Sequence, residues 1–341
     1  MRTAEFDYEL PPDRIAQRPA SPRDSSRLMV LDRRDGSIEH TQFAQLPAYL
    51  RPGDALVLNE SRVIQARLRV WKAPSGGRGE LLLLRRHGPR TWEALAGGRA
   101  HSPGVRLKVI GGPWADIVED LGDARRIVRF ETEIRWPELD QIGAPPLPPY
   151  IHEPLRDPNE YQTVFARHPG SSAAPTAGLH FTEDLLDQLI GRGVAICRLT
   201  LHIGLDTFLP VTEPDPTNHP IHTEWCQVGE QVTRVVRQAR QTGGRVIAVG
   251  TTSVRALETA ARQAASSDEL APFEGPTDLY ILPGFEFRIV DGMLTNFHLP
   301  RSTLLMMVSA FAGRERILEA YAVAKIEGYR FYSFGDAMLI L

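Results

Sequence analysis

The sequence predicts an α/β protein in which a mixed-sheet main domain carries an inserted small antiparallel β-barrel. Residues 182–327 alternate helical stretches with short apolar strand-like runs, as expected of an α/β sheet. Residues 63–132 instead contain short β-rich segments separated by Gly, Pro and charged turns, with no helical period. We therefore expect a discontinuous α/β domain at 1–61 and 145–341, with the barrel domain at 62–144.

The first segment of the α/β domain is expected to supply two paired strands, a short helix and a buried strand. The paired strands lie at Arg27–Asp32 and Ser37–His40, with a turn at Arg34–Gly36 between them. The helix covers Phe43–Leu50. The run Ala55–Leu58 is wholly apolar, which predicts a strand buried inside a sheet.

The barrel is expected to hold five or six strands. Six segments have the required composition: Val63–Trp71, Glu80–Arg85, Thr91–Leu95, Val105–Ile110, Ala115–Asp120 and Ile127–Phe130. The proline-rich stretch 143–150 is then a stiff linker of polyproline type that returns the chain to the α/β domain.

The remainder of the chain is expected to complete the α/β domain. Thr182 caps a helix that ends at Gly191–Gly193. The later strands are predicted at Val194–Ile203, Glu224–Val228, Val246–Val249, Asp278–Leu282, a Phe285–Val290 and Met293–His298 hairpin, and Tyr329–Phe334. The later helices are predicted at Glu230–Gln241, after the turn Gly250–Ser253 through Ala265, at Thr303–Phe311 with Ser302 as cap, and at Arg314–Glu327.

Composition favours a cytoplasmic protein and limits the classes of partner. The 341 residues include no apolar run of membrane-spanning length and no apolar signal core at the N-terminus, and the two cysteines form no CxxC motif. The net charge is −3, yet residues 61–110 carry eleven Lys and Arg against Glu80 and Glu93. Such a local excess is typical of a surface that binds a polyanion, although a solvated arginine-rich surface is the alternative.

A short loop with small residues precedes the helix capped by Thr182. Pro175 fixes one backbone angle, and Gly178 is expected to allow a positive φ. Small residues would let a ligand approach the backbone, with His180 beside it. An ordinary capped connection with an incidental histidine is an equally good interpretation of this stretch alone.

Two further polar turns come directly after apolar strands and before helices. Gly250–Ser253 with Arg255 resembles an anion cradle, although it matches neither GxGxxG nor a P-loop. Asn296–Ser302 repeats the arrangement. Ordinary capping by Thr and Ser is the alternative for both.

Five histidines lie at the ends of predicted α/β elements, which favours acid–base or hydrogen-bonding roles: His180, His202, His219, His222 and His298. His219, His222 and Glu224 also suggest a metal site. On an extended backbone, however, His222 and Glu224 share a face while His219 points elsewhere. We therefore expect no metal.

Nine stretches of the chain carry long motifs: 23–28, 53–68, 147–151, 161–165, 174–182, 202–210, 250–258, 295–306 and 329–341. These motifs resemble the S-adenosylmethionine:tRNA ribosyltransferase-isomerases, the QueA family of queuosine biosynthesis. The resemblance runs from Phe6 to the C-terminus and is weak only in the barrel after Leu68.

The resemblance implies that the ribosyl part of S-adenosylmethionine is transferred to 7-aminomethyl-7-deazaguanine at the wobble position of a tRNA. The product is epoxyqueuosine-tRNA, and adenine and methionine are released. The resemblance also implies an α/β domain with an inserted barrel, and no metal or other cofactor. We expect tRNA and S-adenosylmethionine as partners, no membrane association, and a monomer in the cytoplasm.

This chemistry needs proton transfers, carboxylate or phosphate binding, and a tRNA contact. Candidates for catalysis are His180, His202, His222, Glu224, His298 and Asp336. Candidates for substrate binding are Asn59, Arg62, Thr176, Gly178, Thr251, Thr252, Ser253, Arg255, Asn296, Arg301 and Tyr332. Candidates for tRNA binding are Arg67, Arg69, Arg85, Arg86 and Arg90.

The chain departs from the family pattern at two places. Asp206–Leu209 stands where Gly-Thr-Phe-Arg or Gly-Thr-Phe-Gln is commoner, which leaves Leu209 without a role, and Pro220–Ile221 replaces a basic residue and methionine before His222. Two alternative functions compete with the transferase. One is a non-catalytic RNA-binding protein, and the other is a metal-dependent nucleoside hydrolase that uses His219, His222 and Glu224.

Overall fold

The computed structural model of the chain describes residues 1–97, 102–122, 124–204, 210–264 and 269–341. They divide into two units. The first comprises Met1–Ser61, Pro149–His168 and Ala174–Leu341, and the second comprises Arg62–Pro148 and Pro169–Ala173. The expected insert at 62–144 lies in the second unit, which extends to Pro148 and includes a further short segment.

The described residues form eighteen strands and six α-helices. The strands are β1 (Arg27–Leu31), β2 (Ile38–Gln42), β3 (Ala55–Asn59), β4 (Ser61–Val63), β5 (Arg67–Ala73), β6 (Gly77–Arg86), β7 (Thr91–Gly97), β8 (Arg106–Val109), β9 (Trp114–Gly122), β10 (Arg125–Phe130), β11 (Gly143–Ala144), β12 (His168–Ser171), β13 (Ala195–His202), β14 (Glu224–Val228), β15 (Val246–Val249), β16 (Phe273–Thr277), β17 (Gly292–Asn296) and β18 (Ala337–Ile340). The helices are α1 (Trp136–Ile142), α2 (Glu183–Gly191), α3 (Glu230–Gln241), α4 (Thr251–Gln263), α5 (Thr303–Ala312) and α6 (Arg314–Ile326). Short 3₁₀ helices lie at Thr3–Phe6, Pro12–Arg14, Arg23–Ser25, Phe43–Ala48, Pro158–Tyr161, Thr176–His180 and Pro216–Asn218.

The first unit is built on a nine-stranded mixed sheet in the order β16-β14-β13-β3-β15-β17-β18-β1-β2. Its centre, β13-β3-β15-β17, is parallel, while β14 and β18 run antiparallel to their inner neighbours. Every residue of β3 and β15 is buried, because helices and loops cover both faces of a parallel sheet. The predicted buried strand at Ala55–Leu58 is therefore confirmed. Among the described residues, no helix has the length and apolarity needed to cross a membrane.

The second unit contains a closed antiparallel barrel, as predicted. Its strands follow the order β5-β6-β7-β10-β9-β8, and pairing of β5 with β8 closes the ring. Alternate residues fill the interior, where the indole of Trp92 is 1% exposed. The predicted strand at Val63–Trp71 is divided into β4 and β5. The mixed sheet and the inserted barrel together confirm the predicted fold class.

Two predicted strands between α4 and α5 are wrong. The strand lies at Phe273–Thr277, where it pairs with β14, and not at Asp278–Leu282. Phe285–Val290 forms no hairpin, because the backbone N–H groups of 288, 289 and 290 donate to the buried carboxylate of Glu258 and not to a neighbouring strand. The helix predicted to run through Ala265 is α4, and Ala265 itself lies outside the described residues.

The predicted final strand at Tyr329–Phe334 is also wrong. Tyr332 has a φ of 74°, a left-handed conformation that a strand cannot contain. The last strand is instead the apolar run Ala337–Ile340, which inserts between β17 and β1. Tyr329–Phe334 is thus free to form a polar turn at the edge of the sheet.

Candidate functional site

The carboxyl ends of the four parallel strands place several predicted site residues at one edge of the sheet. Asn59 ends β3, His202 ends β13, Asn296 ends β17, and Thr251 follows β15 as the first residue of α4. In open α/β sheets, ligands bind outside these carboxyl ends. The antiparallel β18 begins at the same edge, so the turn that precedes it is brought there too.

A first pocket in the α/β unit lies beside the end of β17. Its polar lining comprises Tyr150, Thr176, Asn296, His298, Ser302, Tyr332 and Ser333. The Tyr150 and Ser333 hydroxyls lie 2.6 Å apart, and the rings of Tyr150 and Tyr332 pack with centroids 4.1 Å apart. Tyr332 Oη and Asn296 Oδ1 are buried and have no hydrogen-bond partner in the described parts of the chain. Because an unsatisfied buried polar atom costs about 1–3 kcal/mol, two such atoms at one pocket indicate a ligand-binding surface.

His180 is buried and supports Asn296. Asn296 Nδ2 lies 3.1 Å from the carbonyl oxygen of Tyr332 and 3.2 Å from His180 Nε2, so it donates to both. His180 Nε2 is therefore the acceptor, and Nδ1–H donates to Ser26 Oγ at 2.8 Å. Burial, together with Arg330 and Arg23, lowers the pKa of His180 to about 3, so the ring is neutral at pH 7. With both nitrogens bonded, His180 orients Asn296, a residue of the first pocket whose Oδ1 has no partner among the described residues.

His298 has one ring nitrogen fixed and the other unbonded. Nε2 lies 2.8 Å from Thr295 Oγ1, and no described residue bonds Nδ1. The backbone of His298 is held by the hydroxyls of Tyr8 and Tyr321. Burial lowers the pKa of the ring to about 3, so the imidazole is neutral at pH 7. Among the five histidines, His298 has the geometry best suited to proton transfer at the first pocket.

A second pocket adjoins the first, and Leu304 lines both. Its polar lining comprises His219, His222, Glu224, Thr251, Thr252, Arg255, Tyr280 and Thr303. Thr251 and Thr252 form the first turn of α4, whose backbone N–H groups have no intrahelical partners. The first turn of α4 is therefore suited to hold an anionic group such as a carboxylate.

Glu224 and Arg255, predicted separately for catalysis and substrate binding, form a buried ion pair. Arg255 Nη1 lies 2.6 Å from Glu224 Oε2, and the side chains are 9% and 4% exposed. Arg255 also donates to the carbonyls of His222, Thr277 and Leu279. Four of its five N–H groups are thus bound to protein, an arrangement that favours a role in positioning the pocket wall over direct contact with substrate.

No three His, Cys, Asp or Glu side chains of the described segments converge on a point where a metal could bind. The metal hypothesis requires His219, His222 and Glu224 to meet. His219 Nδ1 instead lies 2.7 Å from Glu213 Oε2, and Glu224 faces Arg255.

The loop before α2 forms a 3₁₀ helix at Thr176–His180, and Thr182 Oγ1 accepts from Leu185 N at 3.2 Å as the predicted cap. The expected positive φ at Gly178 is wrong. Glycine is required there by space. A Cβ atom would lie 2.8 Å from Phe165 Cζ and 2.9 Å from Thr163 Cγ2. The close packing places Thr176 against the first pocket.

Gly178→Ala is expected to destabilise the protein by about 1–3 kcal/mol, because its methyl group must displace Phe165 and Thr163. Chemical denaturation measures the change. Gly191→Ala is the control, since no atom lies within 4 Å of a Cβ atom there. Equal stability of the two variants would contradict the packing explanation.

A queuosine biosynthesis protein family model matches residues 3–340. The chain belongs to this family. The S-adenosylmethionine:tRNA ribosyltransferase-isomerase of Symbiobacterium thermophilum is 51% identical to it over all of both chains, and that of Caldanaerobacter subterraneus is 50% identical over all of both. A crystal structure of the S-adenosylmethionine tRNA ribosyltransferase from Thermotoga maritima covers 99% of this chain and 100% of its own, with 41% identity and a TM-score of 0.58. The resemblance inferred from the motifs is confirmed, including across the weakly matching barrel.

Several predicted site residues of this family member are engaged within the protein. Asn59 bonds Leu201 on β13 through both side-chain atoms and also contacts Thr252. Asp336 accepts from the backbone N–H groups of Arg27 and Arg330. The remaining contacts join Ser253 Oγ to the Val249 carbonyl, Arg62 to Asp140 and Arg301 to Asp7. Each of these side chains is thus bound to a partner within the protein.

His202 lies apart from the two pockets. Its ring stacks on Trp225 with centroids 5.3 Å apart, and Nδ1 is buried without a partner among the described residues. Burial and His168 lower the pKa of His202 to about 4. The departure at Asp206–Leu209, which follows His202 closely, lies outside the described residues.

Sequence reasoning missed four residues that shape the site. Ser26 orients His180, and Thr295 orients His298. Tyr150 lines the first pocket, and Tyr280 lines the second. Ser26, Tyr150 and Thr295 lie within the motifs 23–28, 147–151 and 295–306, whereas Tyr280 lies in none of the nine. The contacts that these four residues make became visible only when distant segments were brought together.

The arginines predicted to bind tRNA lie on the barrel and differ in whether their side chains are already bound to other barrel residues. Arg69 and Arg85 are exposed and form no ion pair with a described residue. The other three contact the barrel itself: Arg67 with Glu80, Arg86 with Glu133, and Arg90 with the carbonyl of Glu131. Arg69 and Arg85 are therefore the more available of the five.

Proposed function

We propose that this chain transfers and isomerises the ribosyl moiety of S-adenosylmethionine onto 7-aminomethyl-7-deazaguanine at the wobble position of tRNA. The products are epoxyqueuosine-tRNA, adenine and methionine. Full-length relatives that carry the corresponding enzyme name support the proposal. The observation that carries it is the pair of adjoining polar pockets at the strand ends, where Asn296 Oδ1 and Tyr332 Oη are buried without partners.

The chemistry makes three demands on these pockets. The sulfonium acidifies the adjacent ribosyl carbon, so a base must take a proton there. Adenine must leave, which a hydrogen-bond donor at its ring nitrogen would assist. The aminomethyl group must be neutral when it attacks. We assign the base to His298 and the donor to Tyr332, whose phenol keeps its proton because burial raises its pKa. Asn296 Oδ1 would accept from an N–H group of a substrate.

The second pocket suits the methionine part of S-adenosylmethionine. The first turn of α4 would hold its carboxylate through the backbone N–H groups of Thr251 and Thr252. The ion pair of Glu224 and Arg255 would fix the adjoining part of the wall. We propose no metal or other cofactor, since the acidic and imidazole groups around this pocket are already committed to protein partners. We further propose that the enzyme acts in the cytoplasm as a monomer.

The decisive experiment incubates the purified protein with S-adenosylmethionine and tRNA that carries the modified base. Nucleoside mass spectrometry is expected to show epoxyqueuosine, with adenine released in equal amount. A parallel reaction with excess chelator is expected to proceed at the same rate, whereas its loss would support the metal-dependent alternative. Tight tRNA binding without adenine release would instead support the non-catalytic RNA-binding alternative and overturn the proposal.

A further inference from the structure

The outer face of the barrel carries a row of alternating cationic and aromatic side chains. Arg78 on β6 pairs with Trp71 on β5, Trp71 with Lys108 on β8, and Lys108 with Trp114 on β9. Directly paired residues of neighbouring strands point to the same side of a sheet. Their neighbours along the strands fill the barrel core: Val70, Leu107, Val109 and Ala115. The four side chains therefore project outward together.

Trp71 is the exposed centre of this row. Its side chain is 42% exposed, and the guanidinium carbon of Arg78 lies 5.6 Å from its ring centroid. Lys108 Nζ lies 5.4 Å from the ring centroid of Trp114. Arg69, two residues before Trp71 on the same strand, is exposed on the same face. An accessible indole thus lies among several cations.

Two carboxylates near this face, those of Glu80 and Glu131, are already bound to other barrel arginines. Glu80 lies opposite Arg69 but forms its ion pair with Arg67 at 2.9 Å. Glu131 pairs with Arg106, which also lies 5.2 Å from the ring of Trp114. Because Glu80 and Glu131 are engaged, Arg69 and Arg78 are left to act on an external anion. Lys108 Nζ donates to the Gly112 carbonyl at 2.8 Å and keeps two further N–H donors.

We propose that this surface, here called the Trp71 face, binds an unpaired segment of RNA. A base would stack on Trp71, while Arg69, Arg78 and Lys108 contact the flanking phosphates. Every base has a π-face and every nucleotide a phosphate, so an exposed indole among cations is complementary to a single strand and not to a neutral or acidic partner. The inference rests on the proposed function, in which tRNA is the polyanionic substrate.

The proposal distinguishes between two regions of the barrel. Arg85 is also on β6, but it pairs with Glu93 on β7, on the opposite side of β6 from β5. Arg78 and Arg85 are seven residues apart, or roughly 20 Å along a strand. RNA that stacks on Trp71 would therefore be affected by Arg78 and little by Arg85.

Equilibrium binding of the full chain to an unmodified tRNA transcript, without S-adenosylmethionine, tests the inference. Trp71→Ala is expected to raise Kd about 10-fold or more, and Trp71→Phe to recover most of the affinity because it keeps an aromatic face. Arg78→Ala is expected to reduce the slope of log Kd against log salt by about 1. Arg85→Ala, on the same strand but roughly 20 Å from Arg78, is the comparison variant and is expected to raise Kd less than Arg78→Ala does. Thermal melts confirm that each variant folds.

The opposite results would overturn the inference. Wild-type affinity of Trp71→Ala, or a larger loss for Arg85→Ala, would place the RNA elsewhere on the protein. Competition distinguishes stacking from phosphate contact alone, since a single-stranded oligonucleotide is expected to displace the tRNA and an equally charged duplex is not. Equal competition by the duplex would exclude stacking. Binding is measured without turnover, so the two proposals can fail separately. If Trp71→Ala binds tRNA more weakly but the wild-type chain releases no adenine, RNA binding at the Trp71 face is supported and only the proposed function is refuted.

Discussion

Replacing His298 by alanine is expected to lower kcat about 10²–10⁴-fold, the usual contribution of a positioned general base. His298 Nε2 is fixed by Thr295 Oγ1, and Nδ1 is unbonded among the described residues, so the ring can take a proton without losing an existing bond. The pKa of about 3 means that the ring is unprotonated throughout the neutral range. No loss of kcat from protonation of His298 is therefore expected between pH 6 and pH 8.

S-adenosylmethionine that carries deuterium on the ribosyl carbon beside the sulfur isolates this step. The wild-type enzyme is expected to remove that deuterium, and His298→Ala is expected to retain it while binding S-adenosylmethionine with similar affinity. His40→Ala is the control, since His40 contacts Tyr329 outside both pockets. A His298→Ala enzyme with wild-type kcat would eliminate His298 as the base.

Replacing Arg255 by methionine is expected to destabilise the protein by about 3–5 kcal/mol. The substitution leaves the Glu224 carboxylate buried without its cation and also removes three bonds to backbone carbonyls. Urea unfolding measures the loss. The double variant Glu224→Gln with Arg255→Met is expected to recover part of it, because no uncompensated charge then remains in the interior.

Variants of Arg255 also show whether this arginine positions the pocket wall or contacts the substrate directly. If Arg255 positions the wall of the second pocket, Arg255→Lys keeps the charge but loses part of the hydrogen bonding. The free energy of unfolding is then expected to fall and KM for S-adenosylmethionine to rise together. A stable Arg255→Met variant with KM alone increased would mean that the arginine binds substrate directly. Such a result would restore the interpretation of Arg255 that the sequence suggested.

Local patterns determined the sheet and the barrel correctly where one physical rule dominated. A run of apolar residues such as Ala55–Leu58 has to be buried on both sides, and caps such as Thr182 and Ser302 satisfy helix N–H groups within three residues. Short β-rich segments separated by Gly, Pro and charged turns likewise identified the barrel strands. These features depend on neighbours in the sequence, so they can be inferred without knowledge of the fold.

Prediction failed where a distant side chain replaced the expected backbone partner. Phe285–Val290 has strand-like composition, but the Glu258 carboxylate, about thirty residues away, accepts its N–H groups. Tyr329–Phe334 has similar composition, but Tyr332 adopts a left-handed conformation and exposes its turn to the first pocket. No local pattern records either contact.

The sequence by itself determined the family, the two-part α/β and barrel architecture, and the set of polar residues at strand and helix ends. Only the tertiary structure decided what those residues do to one another. Parallel strands bring their carboxyl ends to one edge, so His180 meets Asn296 across 116 residues and Glu224 meets Arg255 across 31. Hydrogen-bond geometry and burial then determine the tautomer and charge of each histidine and which polar atoms are left without a partner. Tertiary contacts are therefore needed to tell a candidate proton acceptor from a residue that only positions others, because the spacing of residues along the sequence does not show these contacts.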